Sequence, residues 1–189
     1  MYDQDLLKRV GKVTSQIDEV QFKSFIDTIL SAGRIYICGA GRSGLVAKAF
    51  AMRLIHLDKN VFVVGETVTP ALRAGDTLIA VSGSGSTKSV MEIVNISHKL
   101  GARIIAVTGD AASPIAQKAT LTVVIPTKKM VPDITSYEVR ELAGGPNVTP
   151  LGSLFELSTL VFLESAVVAL MDKLKVDESQ MRLKHANLE

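Results

Sequence analysis

Residues Thr77 to Val94 read TLIAVSGSGSTKSVMEIV, and this stretch decides the fold. It joins an apolar run, TLIAV, to a helical pattern, SVMEIVNISHKL. The joint is six residues, Ser82 to Thr87, made only of serine, glycine and threonine. An apolar run without alternation reads as a strand covered on both faces, and a strand that feeds a helix is half of a βαβ unit. A plain turn needs one or two small polar residues. Four hydroxyls and two glycines are more than that geometry demands.

The same alternation runs outward in both directions. Upstream lie RIYIC, then GAGRSG (Gly39 to Gly44), a helical LVAKAFAMRLIHL and a second strand, VFVVG. Downstream lie RIIAV, a short helical SPIAQKA and a fifth strand, LTVVI. Strands alternating with helices predict an α/β chain with a parallel sheet covered on both faces. Two amphipathic segments, Asp5–Val20 and Gln21–Ser31, precede the sheet. In the second, Phe22, Phe25, Ile26 and Ile29 follow helical spacing, and Gly33 is expected to end the helix. Pro126, Pro132, Pro146 and Pro150, with Gly144-Gly145, mark a long loop of a kind usually functional or mobile. The chain divides as N-terminal helices (1–33), sheet core (34–125), loop (126–150), last long helix (151–175) and charged tail (176–189), all in one domain.

Composition narrows the partners. The chain has 189 residues, 47% apolar and 21% charged, with a formal net charge of +2. That lacks the dense basic stripe of a nucleic-acid binder. The one cysteine, Cys38, excludes disulfide frameworks and cysteine metal clusters. In its apolar run it reads as a buried, inert thiol. The opening MYDQDLLKRV is charged and helical, unlike a secretory signal. The most lipid-like stretch, LFELSTLVFLESAVVALMDKL, is cut by Glu156 and Glu164 into runs too short for a bilayer. A cytoplasmic chain is expected, with no membrane or nucleic-acid partner.

GAGRSG satisfies G-x-G-x-x-G between a strand and a helix, so a dinucleotide turn is one reading, with Glu66 available for a ribose. The second loop favours a different ligand. Its backbone N–H groups sit at a positive helix end, and its glycines let a ligand come close. Ser82, Ser84, Ser86 and Thr87 add hydroxyls that donate to phosphate oxygens. A dinucleotide fold has no use for this loop, whereas a sugar phosphate has. Ser82, Gly83, Ser84, Gly85, Ser86 and Thr87 are then phosphate-binding, while Gly41, Arg42 and Ser43 face the sugar. Ser86 or Thr87 acting only as a helix cap is the plainer alternative; it leaves Ser82 and Ser84 unexplained.

With these motifs in hand, the chain resembles the sugar isomerase (SIS) domain family, and within it most closely the 6-phospho-3-hexuloisomerases. GAGRSG, AMRLIHL, VGETVTP, SGSGST, PLGSLFE and RLKHANLE carry the resemblance, in order, through nearly the whole chain apart from Lys128–Val148. It implies a flavodoxin-like, three-layer α/β/α sandwich with a five-stranded parallel sheet, assembled as a tetramer. It implies interconversion of 3-hexulose 6-phosphate and fructose 6-phosphate through a cis-enediol, in the formaldehyde-assimilating ribulose monophosphate pathway. Neither a metal nor an organic cofactor is implied.

That chemistry needs one base beside the carbon chain, and a carboxylate withdrawn from water serves well. Glu156 is the one acid in PLGSLFELSTL, and the resemblance puts the family's proton acceptor on it. Ser153 and Glu156 also satisfy S-x-x-E, a capping box; a helix starting at Thr149-Pro150 would instead leave Glu156 in its second turn. Glu164, about 80° further round the helix, is expected to be solvated or at an interface. Arg42 is expected to neutralise an enediolate or bind sugar oxygens. His98 reads as a surface residue and His56 as packed on its helix or reaching a neighbouring subunit. His185, in the KHANLE end, would fold over a site, including one in a neighbouring subunit, and shuttle the proton between O2 and O3. The rival readings are another aldose–ketose isomerase of the family, a non-catalytic sugar-phosphate sensor, and a dinucleotide-dependent oxidoreductase.

Overall fold

The computed structural model describes residues 2–127 and 152–187. In chain order they form α1 (Tyr2–Thr14), α2 (Glu19–Ser31), β1 (Ile35–Gly39), α3 (Gly41–His56), β2 (Val61–Val63), β3 (Thr77–Val81), α4 (Lys88–Lys99) and β4 (Arg103–Thr108). A 3-10 turn (Ala116–Lys118), β5 (Leu121–Val124), α5 (Ser153–Leu174) and a short α6 (Glu178–Arg182) follow. The loop expected over 126–150 lies, from residue 128 onward, outside the described residues, as does the helix start expected at Thr149-Pro150.

All five strands are parallel and lie in the order β2-β1-β3-β4-β5. Successive strand residues point to opposite faces. Ile35, Ile37, Ile79, Val81, Ile105, Val107 and Val123 join one core with side chains of α1, α2, α3 and α5. Their neighbours Tyr36, Cys38, Leu78, Ala80, Ile104 and Ala106 join a second with Val90 and Val94 of α4 and Ile115. The result is the three-layer α/β/α sandwich with flavodoxin-like strand order. Burial pushes the Cys38 thiol up to about 12, in keeping with an inert side chain.

The order also locates a crevice. From β1 the chain crosses through α3 to one edge, and from β3 it crosses through α4 toward the other. Connections leaving in opposite directions open a gap between the C-terminal ends of β1 and β3, where α/β sheets bind ligands. GAGRSG and SGSGST are the two loops that flank it.

Three expectations need correcting. The first N-terminal segment ends at Thr14, not Val20. Asp18 starts the next helix, its Oδ1 accepting from the backbone N–H groups of Val20 (2.8 Å) and Gln21 (2.9 Å). Gly33 is not itself the residue that ends the helix: α2 closes one position earlier, on Ala32 in extended conformation, and Gly33 has no positive φ. The two glutamates do not make the apolar run of the last helix too short for a bilayer. α5 runs unbroken through both and is long and apolar enough, by length and composition, to cross a membrane. More than half of its most apolar window is buried, with Phe162, Leu163, Ala166 and Leu170 in the core.

Candidate active site

At the first loop, strand and helix nearly touch. A Cβ on Gly44 would lie 2.8 Å from the Gly39 carbonyl oxygen, so only glycine lets α3 start this close to β1. α3 therefore projects Gly41 and Arg42 from its first turn, both exposed, with Ser43 half-buried behind them. Glu66, the acid a dinucleotide site would use, is paired instead with Lys48 of α3 at 2.6 Å.

The second loop is held together by its own hydroxyls. Ser82 is buried; its Oγ accepts from the Gly85 N–H and lies 3.1 Å from Thr87 Oγ1. Ser84 and Ser86 are exposed, and Ser84 Oγ accepts from the Ser86 N–H at 3.3 Å and from its hydroxyl at 3.2 Å. Thr87 occupies the N-cap position of α4, yet its side chain makes no capping bond. Helix capping therefore does not account for these residues.

α5 closes the crevice. It starts at Ser153 behind Gly152, a left-handed N-cap residue (φ 75°) without a side-chain cap. The Ser153–Glu156 capping box is thus absent, and Glu156 sits in the first turn rather than the second. The residue is buried, and its carboxylate accepts a hydrogen bond from Arg42 Nε. The preceding residue, Phe155, packs on the second loop: a Cβ on Gly83 would lie 3.0 Å from its ring. The start of α5 therefore touches both loops, the first through its lone buried acid, Glu156, and the second through Phe155. A small anion seated there would have hydroxyls and backbone amides on one side and an arginine–carboxylate pair on the other.

His185 is not part of this meeting within one chain. It lies beside His56, ring centroids 5.3 Å apart, at the C-terminal end of α3. Arg42 is at the other end of that sixteen-residue helix, about 21 Å away. The tail is fastened there by buried Met181 and by Lys184 paired with Asp58 at 2.8 Å. Glu164 is half-exposed near Arg53 (3.6 Å) and His98 is exposed. Among the described residues no three His, Cys, Asp or Glu side chains converge on a metal position.

Two residues of the site were invisible in the sequence reading. Thr108 and Ser113, both buried, flank the turn after β4 and press against the second loop from below. Their signal was only positional: RIIAVTGDAAS places a hydroxyl and a glycine at the next C-terminal strand end.

The crevice between β1 and β3 and the two hydroxyl-bearing loops define a sugar-isomerase-type domain. Residues 28–139 match the SIS domain family, and the chain belongs to that family. Its curated relatives narrow the class further. Over 184 residues, covering 95% of this chain and 96% of the other, it is 42% identical to the 3-hexulose-6-phosphate isomerase of Methylomonas aminofaciens. It is 36% identical over its full length to that of Bacillus subtilis, of which 97% is covered. A Methanococcus jannaschii protein whose crystal structure infers the function of a 3-hexulose-6-phosphate isomerase superposes with a TM-score of 0.81, at 31% identity and full coverage of both chains. This protein is a sugar-phosphate isomerase.

Proposed function

We propose that the chain interconverts 3-hexulose 6-phosphate and fructose 6-phosphate through a cis-enediol held at the β1/β3 crevice. One observation carries the reading: the buried Glu156 pairs with Arg42 of the first loop while its neighbour Phe155 packs on Gly83 of the SGSGST loop. The names of the relatives supply the substrate class.

Glu156 takes the C2 proton of the 3-ketose, and the electron pair moves into a C2–C3 double bond as negative charge collects on O3. The same carboxyl then returns the proton to C3 while O2 becomes the carbonyl oxygen, so nothing is gained or lost. In the free protein Arg42 is bonded to Glu156. The O2 and O3 oxygens of the incoming ketose compete for that guanidinium, which draws Arg42 to where the enediolate charge will develop and leaves Glu156 free to accept the C2 proton. Ser82–Thr87 grip the phosphate at the other end. A proton must also pass between O2 and O3. His185 of a neighbouring copy suits that step, since an imidazole can both accept and donate a proton and its own chain keeps it far from Glu156.

Such a role for His185 requires an oligomer, and a homotetramer is the assembly we propose. Exposed Leu45, Met52 and Ile55 on α3, and Val161 and Val168 on α5, supply an apolar surface for it. A place in formaldehyde assimilation and a cytoplasmic location belong to the same proposal. The direct test offers enzymically prepared 3-hexulose 6-phosphate and follows fructose 6-phosphate by a coupled dehydrogenase. Turnover of an aldose phosphate alone, with none of the 3-ketose, would redirect the reading to another member of the family.

A further inference from the structure

The turn after β4 does more than fill space beneath the second loop. The Gly109 N–H donates to the Gly83 carbonyl at 3.0 Å, and the Thr108 hydroxyl reaches the same oxygen at 3.4 Å. The Ile115 N–H donates to the Gly85 carbonyl at 3.1 Å. Thr108 Oγ1 and Ser113 Oγ lie 3.3 Å apart, directly under Gly85. A Cβ on Gly85 would fall 2.3 Å from Ser113 and 2.9 Å from Thr108 Oγ1, and Gly85 itself has φ +63°. The turn is braced from within: Ser113 N–H donates to the Asp110 carbonyl (3.1 Å), and Ala112 N–H to Asp110 Oδ1 (2.9 Å).

These bonds fix two peptide planes. In a trans peptide the C=O and the following N–H point in opposite directions. The Gly83 and Gly85 carbonyls are drawn toward β4, so the N–H groups of Ser84 and Ser86 turn the other way, toward β1 and the crevice. Among the described residues the Ser86 N–H is engaged only by the long 3.3 Å contact to exposed Ser84 Oγ, which a phosphate oxygen would replace. Neighbouring amides held in this way make an anion-binding concavity.

We propose that Thr108 and Ser113 are positioning residues for substrate phosphate, acting through Gly83 and Gly85 to aim the Ser84 and Ser86 amides into the crevice. This rests on the reading of Ser82–Thr87 as the phosphate loop. Both side chains are buried and act without touching the ligand.

The test uses Thr108→Val, Ser113→Ala and the conservative Thr108→Ser in the full-length protein. Loss of one orienting hydroxyl is worth about a five- to tenfold weakening. KM for the phosphorylated substrate and Ki for inorganic phosphate should therefore rise together by that factor in Thr108→Val and Ser113→Ala. Turnover should stay near wild type, and Thr108→Ser should restore both constants. A purely structural role would lower kcat through loss of folded protein and leave KM unchanged, which overturns the proposal. Unchanged KM and Ki in both variants overturn it as well. The stabilisation of the unliganded protein by added phosphate, read as a melting-temperature shift, separates the two readings. If wild type fails to isomerise the 3-hexulose phosphate, the functional assignment falls. A phosphate-induced shift present in wild type and reduced in both variants still supports the positioning role, and no shift in wild type, or an equal shift in the variants, refutes it.

Discussion

Replacing Glu156 with Gln separates chemistry from folding, because the site assigns very different magnitudes to each. The side chain is 10% exposed and its partner Arg42 is 63% exposed. Glutamine keeps the shape and an acceptor oxygen for Arg42, whose guanidinium is otherwise wet. An ion pair open to water on one side contributes about 0–1 kcal/mol, so stability should fall by no more than that, against the 5–15 kcal/mol typical of a domain. Turnover should suffer far more, since an amide cannot accept the C2 proton. A positioned general base is worth about two to four orders of magnitude, or about 3–5 kcal/mol in the barrier. Steady-state kinetics on 3-hexulose 6-phosphate, with a melting curve of the same sample, measures both quantities. Wild-type melting with kcat reduced at least about a hundredfold and KM little changed is the expected outcome. A variant that retains turnover within tenfold would show that another group moves the proton.

Gly85→Ala should cost stability through two effects: a left-handed φ, about 1–2 kcal/mol, and a methyl driven into Ser113, about 1–3 kcal/mol. Urea unfolding would measure the sum, and a loss under about 1 kcal/mol, below either range, would contradict the close approach at this turn. The Cys38 thiol, pushed up to about 12 by burial, should resist thiol reagents at pH 8 in the native protein and react fully once it is unfolded; rapid native labelling would refute its placement in the core between the sheet and α4. Burial, with His185 and Arg53 beside it, lowers His56 below the ordinary imidazole value, so the folded state binds its proton less readily than the unfolded chain. Its stability contribution is then complete above about pH 6.5 and lost as pH falls from there toward the lowered native value. His56→Gln should flatten the fall of melting temperature over that window, and an unchanged slope would assign the acid sensitivity elsewhere.

Much of this molecule was legible because its signals are local. TLIAV appears in the structure with the predicted bounds, and the other strands with small shifts at their ends, since a strand covered on both faces must be apolar throughout. Helices α3 and α4 announced themselves by apolar spacing and by the glycine-rich loops before them. The N-terminal helices were misjudged at their join because Asp18 acts through two backbone bonds that leave no mark on apolar periodicity. Glu156 stood out as one acid in an apolar helix, but whether it capped that helix or faced a crevice was undecided. The start of α5 at Ser153 and the reach of Arg42 across from α3 settled its surroundings.

The chain itself determines the alternation of strands and helices, the two hydroxyl- and glycine-bearing turns, and the isolation of one carboxylate, because each depends on neighbours within a few residues. Tertiary structure alone decided which of these meet. Strand order puts β1 beside β3 and so brings residues 41–43 against 82–87; packing of α5 brings Glu156 to Arg42, and the turn after β4 beneath Gly85. The same packing holds His185 at the far end of α3. Contacts between residues 114 positions apart arise from how layers stack and strands cross over, and no local pattern encodes that.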